Sequence, residues 1–455
     1  MKKRMCKIMA LAMTAAMVVP MAAQTTAFAA DDKEITYWNI AVESPDKDIV
    51  TAAVDKFNKE TKSGYTVNQV AIQNDTYKEK LVIAMSSGEC PDMYSSWSGG
   101  PMYEYIDSGF AQPIDDLLDQ SDIKDKLLDA AIEQGSYKGH VYAIPYMNVV
   151  LAGIFYNKDM FKQYGLEEPK TLADLENICA TLKENGITPF ALANGSKWTG
   201  SMYFMSLAAR YGGLEPFQNA VAGTGKFTDD CFIKAGEKIQ EWVNNGYFPD
   251  GVNSLSEDDG QAKQLLYQET AGMMLGGSFY TGAFQTDSEE FYQKKIGWFP
   301  IPAIDDSDAD PTIQIGTVGD QFISFNCEGD KLAAAFECAA DHLSDEVEDM
   351  IYSTGKIAPV KDAGDHISDP VVKEIFDAAQ EASSIQLWYD QYLPTSVASA
   401  HLDGLQEVFG LTKTPQEAQE EMQKAMDEYL STKSDSGAAD DTAEEATDAA
   451  ADDAE

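Results

Sequence analysis

The sequence is poor in basic residues: 33 lysines and arginines stand against 76 aspartates and glutamates, and the formal net charge of the 455 residues is −43. Nucleic acid is therefore not an expected partner, since binding to phosphates needs clustered lysine and arginine. The simplest interpretation of the charge is solubility and self-repulsion, and attraction of a cationic ligand is the alternative. The hydrophobic content of 44% is that of a soluble globular chain, long enough for two domains.

Histidine, cysteine and the common catalytic motifs are scarce or absent. The four histidines are not spaced like the ligands of a metal site, so we expect no metal. The five cysteines after residue 30 are scattered and odd in number, so we expect no disulfide framework. There is no G-x-S-x-G, H-E-x-x-H or Walker motif, and no G-x-G-x-x-G after a strand. We therefore expect no cofactor and no enzymatic activity. The two catalytic carboxylates of a glycoside hydrolase are defined by their distance in the fold and not by their spacing in the sequence, so this enzyme class stays open.

A long apolar run occurs at the N-terminus, where a basic stretch at Lys2–Lys7 precedes the apolar segment Ile8–Ala23. An A-x-A site follows at Ala27–Ala29, and this order predicts a signal peptide at residues 1–29. Cys6 lies before the apolar segment, and no cysteine follows that segment at a lipobox position. We expect an exported, extracytoplasmic protein without a lipid anchor of its own.

A charge-free stretch from His140 to Tyr156 is the most distinctive internal segment. Its β-branched and aromatic residues predict buried strand, and Pro145 cannot donate to a central ladder. We therefore predict two short strands that meet at a joint near Pro145–Asn148, with a helix from Asn157 or Lys158. Strands and helices alternate from Glu34 to Tyr94, which predicts a mainly parallel sheet with crossover helices.

Aromatic and polar residues occur together in loops at the predicted strand ends, where ligands of such sheets bind. Flat aromatic faces pack on the apolar faces of sugar rings, while carboxylates and amides bond hydroxyls, so their convergence in one cleft would make a binding site. Stacking is expected from Trp97, Trp198, Phe279, Trp388 and Tyr389. Polar contacts are expected from Asn39, Glu43, Ser96, Ser278, Asp320, Gln321 and Asp390. Trp242 and Trp298 lie inside element patterns and are expected in the core.

Several segments in order resemble the extracellular solute-binding proteins of ABC transporters, in the sugar and oligosaccharide group related to maltose-binding protein. The segments are ITYWNI, SGECPDMYSSW, YAIPYMNVVLAGIFYNKDMF, TLADLENICATLKENGITPFAL, AGMMLGGSFYTGAF and STGKIAPVKD, within Glu34–Leu430. QLWYDQYLP resembles the subgroup for raffinose-like or xylo-type oligosaccharides. Two features depart from the family: its lipobox cysteine is missing, and Gly277-Ser278-Phe279 replaces a common Gly-Pro-Trp or Gly-Ser-Trp, which reduces one stacking surface.

The resemblance implies an α/β, two-lobed periplasmic-binding-protein fold of type II-like form, each lobe a mainly parallel sheet flanked by helices. The implied N-terminal lobe comprises residues 30–143 and 277–341, and the C-terminal lobe 144–276 and 342–431. The chain would cross between the lobes within Lys138–Phe161, near Gly276 and around Asp341–Asp345, and Asn148 would lie at the cleft floor. Residues 432–455 lack aromatic and large aliphatic side chains, and this composition predicts a disordered acidic tail.

The resulting hypothesis is a monomeric, extracytoplasmic substrate-binding protein. It would capture a carbohydrate, expected to be an oligosaccharide, between two lobes that close about a hinge, and would deliver it to the membrane permease of an ABC transporter. Two alternatives stay open. One is binding of a cationic solute such as a polyamine by carboxylates beside tryptophan, and the other is a secreted carbohydrate-active enzyme.

Overall fold

The structure is a computed structural model that describes residues 33–432. The signal peptide expected at residues 1–29 lies outside the described residues, as do residues 433–455 of the expected tail. Within residues 33–432, no helix is both long enough and apolar enough to cross a membrane.

The described residues contain thirteen strands, which form two main sheets and one small hairpin. In chain order they are β1 (Glu34–Asn39), β2 (Thr66–Ala71), β3 (Met93–Ser96), β4 (Ser136–Tyr137), β5 (His140–Val141), β6 (Ala143–Pro145), β7 (Val150–Asn157), β8 (Thr188–Phe190), β9 (Ala271–Gly277), β10 (Ile296–Phe299), β11 (Gln314–Thr317), β12 (Phe322–Phe325) and β13 (Ile385–Gln386).

Helices cover both sheets. They are α1 (Asp46–Glu60), α2 (Asn74–Ser87), α3 (Gly100–Asp107), α4 (Asp115–Asp119), α5 (Ile123–Lys126), α6 (Asp129–Gln134), α7 (Lys158–Tyr164), α8 (Leu172–Glu184), α9 (Trp198–Gly212), α10 (Glu215–Val221), α11 (Asp230–Asn244), α12 (Gln261–Tyr267), α13 (Tyr280–Lys295), α14 (Gly329–Asp341), α15 (Asp345–Ser353), α16 (Pro370–Glu381), α17 (Tyr389–Tyr392) and α18 (Thr395–Phe409). Residues 415–432 are also helical.

The N-terminal sheet has the strand order β2-β1-β3-β12-β6. Its first three strands are parallel, because α1 and α2 each carry the chain back to the same end of the sheet. β12 pairs antiparallel with both β3 and β6. The alternation expected from Glu34 to Tyr94 is therefore confirmed, within a sheet that is mixed as a whole.

The C-terminal sheet has the order β13-β11-β7-β9-β8, and β10 also pairs with β7. β9, β10 and β11 all run antiparallel to β7, so the expectation of a mainly parallel sheet was wrong for this lobe. The physical reason is the connectivity: β7 leaves the junction between the sheets directly, without a crossover helix, and β11 returns to that junction. The α/β, two-lobed architecture itself is confirmed.

The chain passes directly between the sheets in two short connections, residues 146–149 from β6 to β7 and residues 318–321 from β11 to β12. The first is the joint predicted near Pro145–Asn148. Gly276, where a crossing was expected, lies inside β9, and the chain continues into α13, which packs on Phe155 of β7. Near Asp341–Asp345, where another was expected, α14 and α15 both pack on α1, and the next helix, α16, packs on β10. Both crossings stay predictions.

The two connections are hydrogen-bonded to each other. The Tyr146 amide donates to the Gln321 carbonyl at 3.1 Å, and the Asp320 amide donates to the Asn148 carbonyl at 2.8 Å. The Asn148 side chain also accepts from the Ile357 amide at 2.8 Å. The two passages therefore form one ribbon that is anchored to a third segment. The full residue ranges that the sequence assigned to the two lobes stay a prediction.

Strand β7 is buried on both faces, which explains its lack of charge. Val150, Ala152 and Ile154 belong to the core beneath α8, α9 and α11, whereas Leu151 and Phe155 belong to the core that continues into the N-terminal lobe. All eight residues of the strand are buried. Trp242 and Trp298 are each 2% exposed, which confirms their expected core positions.

The lobes touch across the mouth of the cleft between them. Glu104 of α3 accepts hydrogen bonds from the amide and the hydroxyl of Thr395, at 3.0 and 2.6 Å. The Lys78 ammonium of α2 lies 3.6 Å from the Asp390 carboxylate of α17. Gly100 packs against the backbone of Leu393, where a methyl group would overlap the carbonyl. We call these contacts between α2 or α3 and residues 390–395 the clasp; they hold the lobes in a closed arrangement.

Substitution Gly100→Ala is expected to open the clasp, because its Cβ would overlap backbone atoms that cannot move aside independently. Alanine is favoured over glycine in a helix by roughly 1 kcal/mol, so the N-terminal lobe should keep its stability. Small-angle scattering should show a larger radius of gyration for the variant. Gly404→Ala, which meets the Cβ of Ala418 within the C-terminal lobe, is the control. An unchanged radius for Gly100→Ala would contradict the closed arrangement.

Two histidines are buried as neutral rings. His342 donates through Nδ1 to the Cys338 carbonyl at 3.0 Å, and its ring meets the Tyr146 ring edge to face. His401 lies 2.7 Å from the Ser201 hydroxyl through Nε2. Burial lowers the pKa of His342 to about 4 and that of His401 to about 3. Both pKa values lie below those of the unfolded chain, so the unfolded chain takes up protons first as the pH falls.

Stability should therefore decline as the pH drops from about 6.5 toward about 4, through the protonation of these histidines in the unfolded chain. Comparison of His342→Asn with the parent isolates one of them. Between about pH 7 and about pH 4.5, the variant should lose about 2 kcal/mol less unfolding free energy than the parent, at roughly 1.4 kcal/mol per pKa unit. Denaturant titrations at both pH values test this, with the exposed His366→Asn as control. Equal losses in the His342 variant and the parent would refute the role given to His342.

Candidate functional site

A cavity of about 590 Å³ lies between the two lobes. Residues of both lobes line it: Ile40, Glu43, Asp46, Gln73, Asn74, Lys78, Trp97, Trp198, Met202, Glu257, Asp258, Asp259, Gly260, Lys263, Gln264, Phe279, Tyr280, Ala283, Asp287, Asp320, Gln321, Trp388, Asp390 and Gln391. The volume is within the range of roughly 300–1,000 Å³ that is usual for small-molecule sites.

The N-terminal wall is built from the carboxyl ends of three parallel strands. Glu43 follows β1, Asn74 follows β2 and Trp97 follows β3, so all three side chains reach the same edge of the sheet. The Lys78 ammonium lies 5.0 Å from the centroid of the Trp97 ring. Strand direction therefore explains why residues far apart in sequence meet here.

The C-terminal wall is mainly aromatic. Trp198 is the first residue of α9, and Phe279 lies two residues after the end of β9. Their rings are 6.1 Å apart and meet edge to face at 65°. Trp388 precedes α17, next to the clasp. Three aromatic side chains from separate elements are thus brought to one wall.

Eight of the thirteen residues singled out from the sequence line the cavity. They are Glu43, Trp97, Trp198, Phe279, Asp320, Gln321, Trp388 and Asp390. Their contact with a ligand stays a prediction, since cavity lining establishes access and not binding.

Three of the other five lie in the interior of the lobes. The Asn39 side chain accepts from the backbone amide two residues further on, at 3.0 Å. The Ser96 hydroxyl is 2.7 Å from that of Ser324, between neighbouring strands. Tyr389 stacks on Phe217 with ring centroids 4.3 Å apart, because it projects from α17 into the core while its neighbours face the cavity.

The remaining two hold the junction between the lobes. Asn148 is buried and ties the first passage to Ile357, as described above. The Ser278 hydroxyl accepts from the Leu151 amide at 3.2 Å, which fixes the end of β9 to β7. Neither residue lines the cavity, so Asn148 is part of the junction beneath the cleft.

Sequence reasoning missed the charged loop Glu257–Asp259 and the two lysines of the cavity, Lys78 and Lys263. The loop contains no aromatic residue beside its carboxylates, which is the pattern that singled out most of the other candidates. Two other cavity residues, Gln73 and Asn74, could have been predicted from the sequence. They follow β2, and the strand-end argument applied to β1 and β3 predicts them equally well.

The Asp320 carboxyl is half-buried at the base of the cavity. Its pKa is raised to about 7, mainly by burial and also by the neighbouring Asp46 carboxylate, while Lys356 and Lys78 oppose the rise. Lys356 is itself buried beneath the cavity and forms an ion pair with Asp46. The floor of the cavity therefore contains a compensated charge pair next to a carboxyl that is partly protonated at neutral pH.

Glu257 is a second carboxyl with a raised pKa. Burial raises it to about 7, and the nearby carboxylates of Asp258 and Asp75 act in the same direction. Its Oε2 atom is buried and has no hydrogen-bond partner among the described residues. At neutral pH such a carboxyl can accept or donate a hydrogen bond, which suits a ligand rich in hydroxyl groups.

Comparisons with known proteins agree with this geometry. A family model described as bacterial extracellular solute-binding protein matches residues 41–340. An uncharacterized ABC transporter extracellular-binding protein of Pyrococcus horikoshii is 31% identical over 229 residues, half of each chain. The xylose/arabinose-binding protein of Haloferax volcanii is 22% identical over 259 residues, 56% of this chain and 55% of that protein. The chain thus spans about half the length of the curated relatives that it matches.

Solved structures match over nearly their whole length. A structure from work on xylan utilization by the thermophilic bacterium Caldanaerobius polysaccharolyticus has a TM-score of 0.79 at 29% identity, with 86% of this chain and 99% of that chain covered. A chitin oligosaccharide binding protein also has a TM-score of 0.79, at 23% identity, with 87% and 98% covered, and shows the shared fold. Because the family model covers well over half of the sequence, the chain belongs to the bacterial extracellular solute-binding protein family.

Proposed function

We propose that the protein is an extracytoplasmic substrate-binding protein that captures a carbohydrate between its lobes and delivers it to an ABC transporter permease. The observation that carries the proposal is the inter-lobe cavity, which combines aromatic faces with hydrogen-bonding carboxylates and amides. Sugar rings present apolar C–H faces to aromatic side chains and hydroxyl groups to polar ones, so both kinds of lining match one ligand class.

The distribution of the aromatic residues links binding to closure. Trp97 belongs to the N-terminal lobe, whereas Trp198 and Trp388 belong to the C-terminal lobe. A ligand that contacts both walls stabilises the closed arrangement over the open one by its differential affinity for the two. The closed, ligand-bound form would be the one that the permease recognises. A monomer is sufficient for this activity, because one chain supplies both walls.

The relatives support a sugar as ligand. One is a xylose/arabinose-binding protein, and one structural neighbour is a chitin oligosaccharide binding protein. These are solute-binding proteins, and we propose the same for this chain: binding without turnover and without a cofactor. Among family members the location is extracellular by description, which agrees with the export signal expected at residues 1–29.

A cationic solute such as a polyamine is the second candidate, and the acidic lining favours it. Glu43, Asp320 and the loop Glu257–Asp259 all offer carboxylates to the cavity beside tryptophan. The two candidates differ in salt dependence: binding of a polyamine should weaken steeply with ionic strength, and binding of a neutral sugar should barely change.

Truncation of Trp97 or Trp198 to alanine should weaken carbohydrate binding by about 1–4 kcal/mol, the range for a buried aromatic anchor. The ligand is first chosen by a thermal-shift screen of mono- and oligosaccharides, since ligands that bind the native state raise its stability. Calorimetry with the selected sugar then gives the affinities. Trp38→Ala is the matched control, because Trp38 is half-buried in β1 and does not line the cavity. Unchanged affinity in both Trp97→Ala and Trp198→Ala would place the site elsewhere.

A further inference from the structure

The lining of the inter-lobe cavity carries a large excess of negative charge. Eight aspartates and glutamates line it, against two lysines. No arginine lines the cavity among the described residues; Arg210 is buried in the C-terminal lobe, where it donates to the carbonyls of Ile301 and Ile313. The side chains that usually bind carboxylate or phosphate groups in pairs of hydrogen bonds are therefore absent from this part of the structure.

Both cavity lysines already have acidic partners. The Lys78 ammonium lies 3.6 Å from Asp390, and that of Lys263 lies 3.0 Å from Asp287. An anionic ligand could gain either lysine only by separating an existing pair. Neither lysine is thus a free anion-binding group.

Five carboxylates of the lining have no cationic partner within 4 Å among the described residues. They are Glu43, Glu257, Asp258, Asp259 and Asp320. Burial is the main cause that raises the pKa values of Glu257 and Asp320 to about 7, and neighbouring carboxylates act in the same direction. A negative charge on a ligand would lose water in the same way and would lie near the same carboxylates.

Hydrogen-bond chemistry acts in the same direction as charge. An ionised carboxylate is an acceptor and must receive hydrogen bonds from donors on the ligand. Hydroxyl, amide and ammonium groups supply donors, whereas carboxylate, sulfate and phosphate groups supply acceptors. Wherever these carboxyl groups are ionised, an anionic substituent opposite them would therefore leave acceptors facing acceptors, in addition to the repulsion between like charges.

Resting on the proposed carbohydrate binding, we infer that the cavity selects uncharged or amine-bearing glycans and rejects glycans that carry carboxylate, sulfate or phosphate groups. Selection of this kind comes from unfavourable contacts with the wrong ligand as much as from contacts with the right one. The residues that reject the anion are the five unpaired carboxylates, and the loop Glu257–Asp259 contributes three of them.

Calorimetry with matched glycans at low ionic strength tests the inference. The first pair is xylotetraose and its glucuronic-acid-substituted form, and the second is β-galactotetraose and tetragalacturonate. N-acetylated chitotetraose and its deacetylated, amine-bearing form make the third pair. Wherever the neutral glycan binds, the acidic member should bind at least about tenfold more weakly, and the amine-bearing chitotetraose should bind no more weakly than the N-acetylated one.

The outcomes separate the inference from the function on which it rests. An acidic member that binds within tenfold of its neutral counterpart, or binds alone, overturns the inference and leaves carbohydrate binding standing. If neither the matched panel nor a wider glycan screen yields a ligand, the proposed function fails as well.

A variant in which two of the carboxylates are neutralised tests which residues reject acidic glycans. In the double variant Glu257→Gln and Asp259→Asn, the ratio of neutral to acidic affinity should fall by at least about threefold relative to the parent. Asp306→Asn is the control, because Asp306 is an exposed carboxylate outside the lining, and its ratio should stay that of the parent. An unchanged ratio in the double variant would overturn the assignment to these residues.

Discussion

Burial of strand β7 on both faces is the constraint on which the rest of the structure depends. One face packs under the helices of the C-terminal lobe, and the other belongs to the core that continues into the N-terminal lobe. A charged residue on either face would be left without water or a partner, at a cost of several kcal/mol. The strand therefore contains no aspartate, glutamate, lysine or arginine, and its start fixes where the first passage between the sheets must lie.

Features encoded by neighbouring residues were predictable from the sequence. The joint at Pro145–Asn148 and the start of α7 at Lys158 both follow from local chemistry, and the structure has both of them. The second passage, at residues 318–321, was not predictable in this way. Its position depends on β11 and β12 pairing with different sheets, and nothing in the local sequence states which distant strand each one meets.

The site shows the same division. Residues that follow a parallel strand, such as Glu43 and Trp97, could be placed because strand direction brings them to one edge. Tyr389 could not be separated from Trp388 and Asp390, because a short helix directs neighbouring side chains to opposite sides and the sequence does not say which side faces the cavity. The loop Glu257–Asp259 carries no pattern of its own, and it reaches the cavity because α12 and β9 bring it there.

The paired passages also limit how the lobes can move. Residues 146–149 and 318–321 are bonded to each other, so they must bend together, and Asn148 ties one of them to Ile357. A ribbon of two bonded strands bends across its plane more readily than it shears along its length, which leaves rotation about a single axis as the low-energy motion. The clasp contacts lie outside this ribbon, so a rotation of the lobes about that axis changes the gap between Gly100 and Leu393.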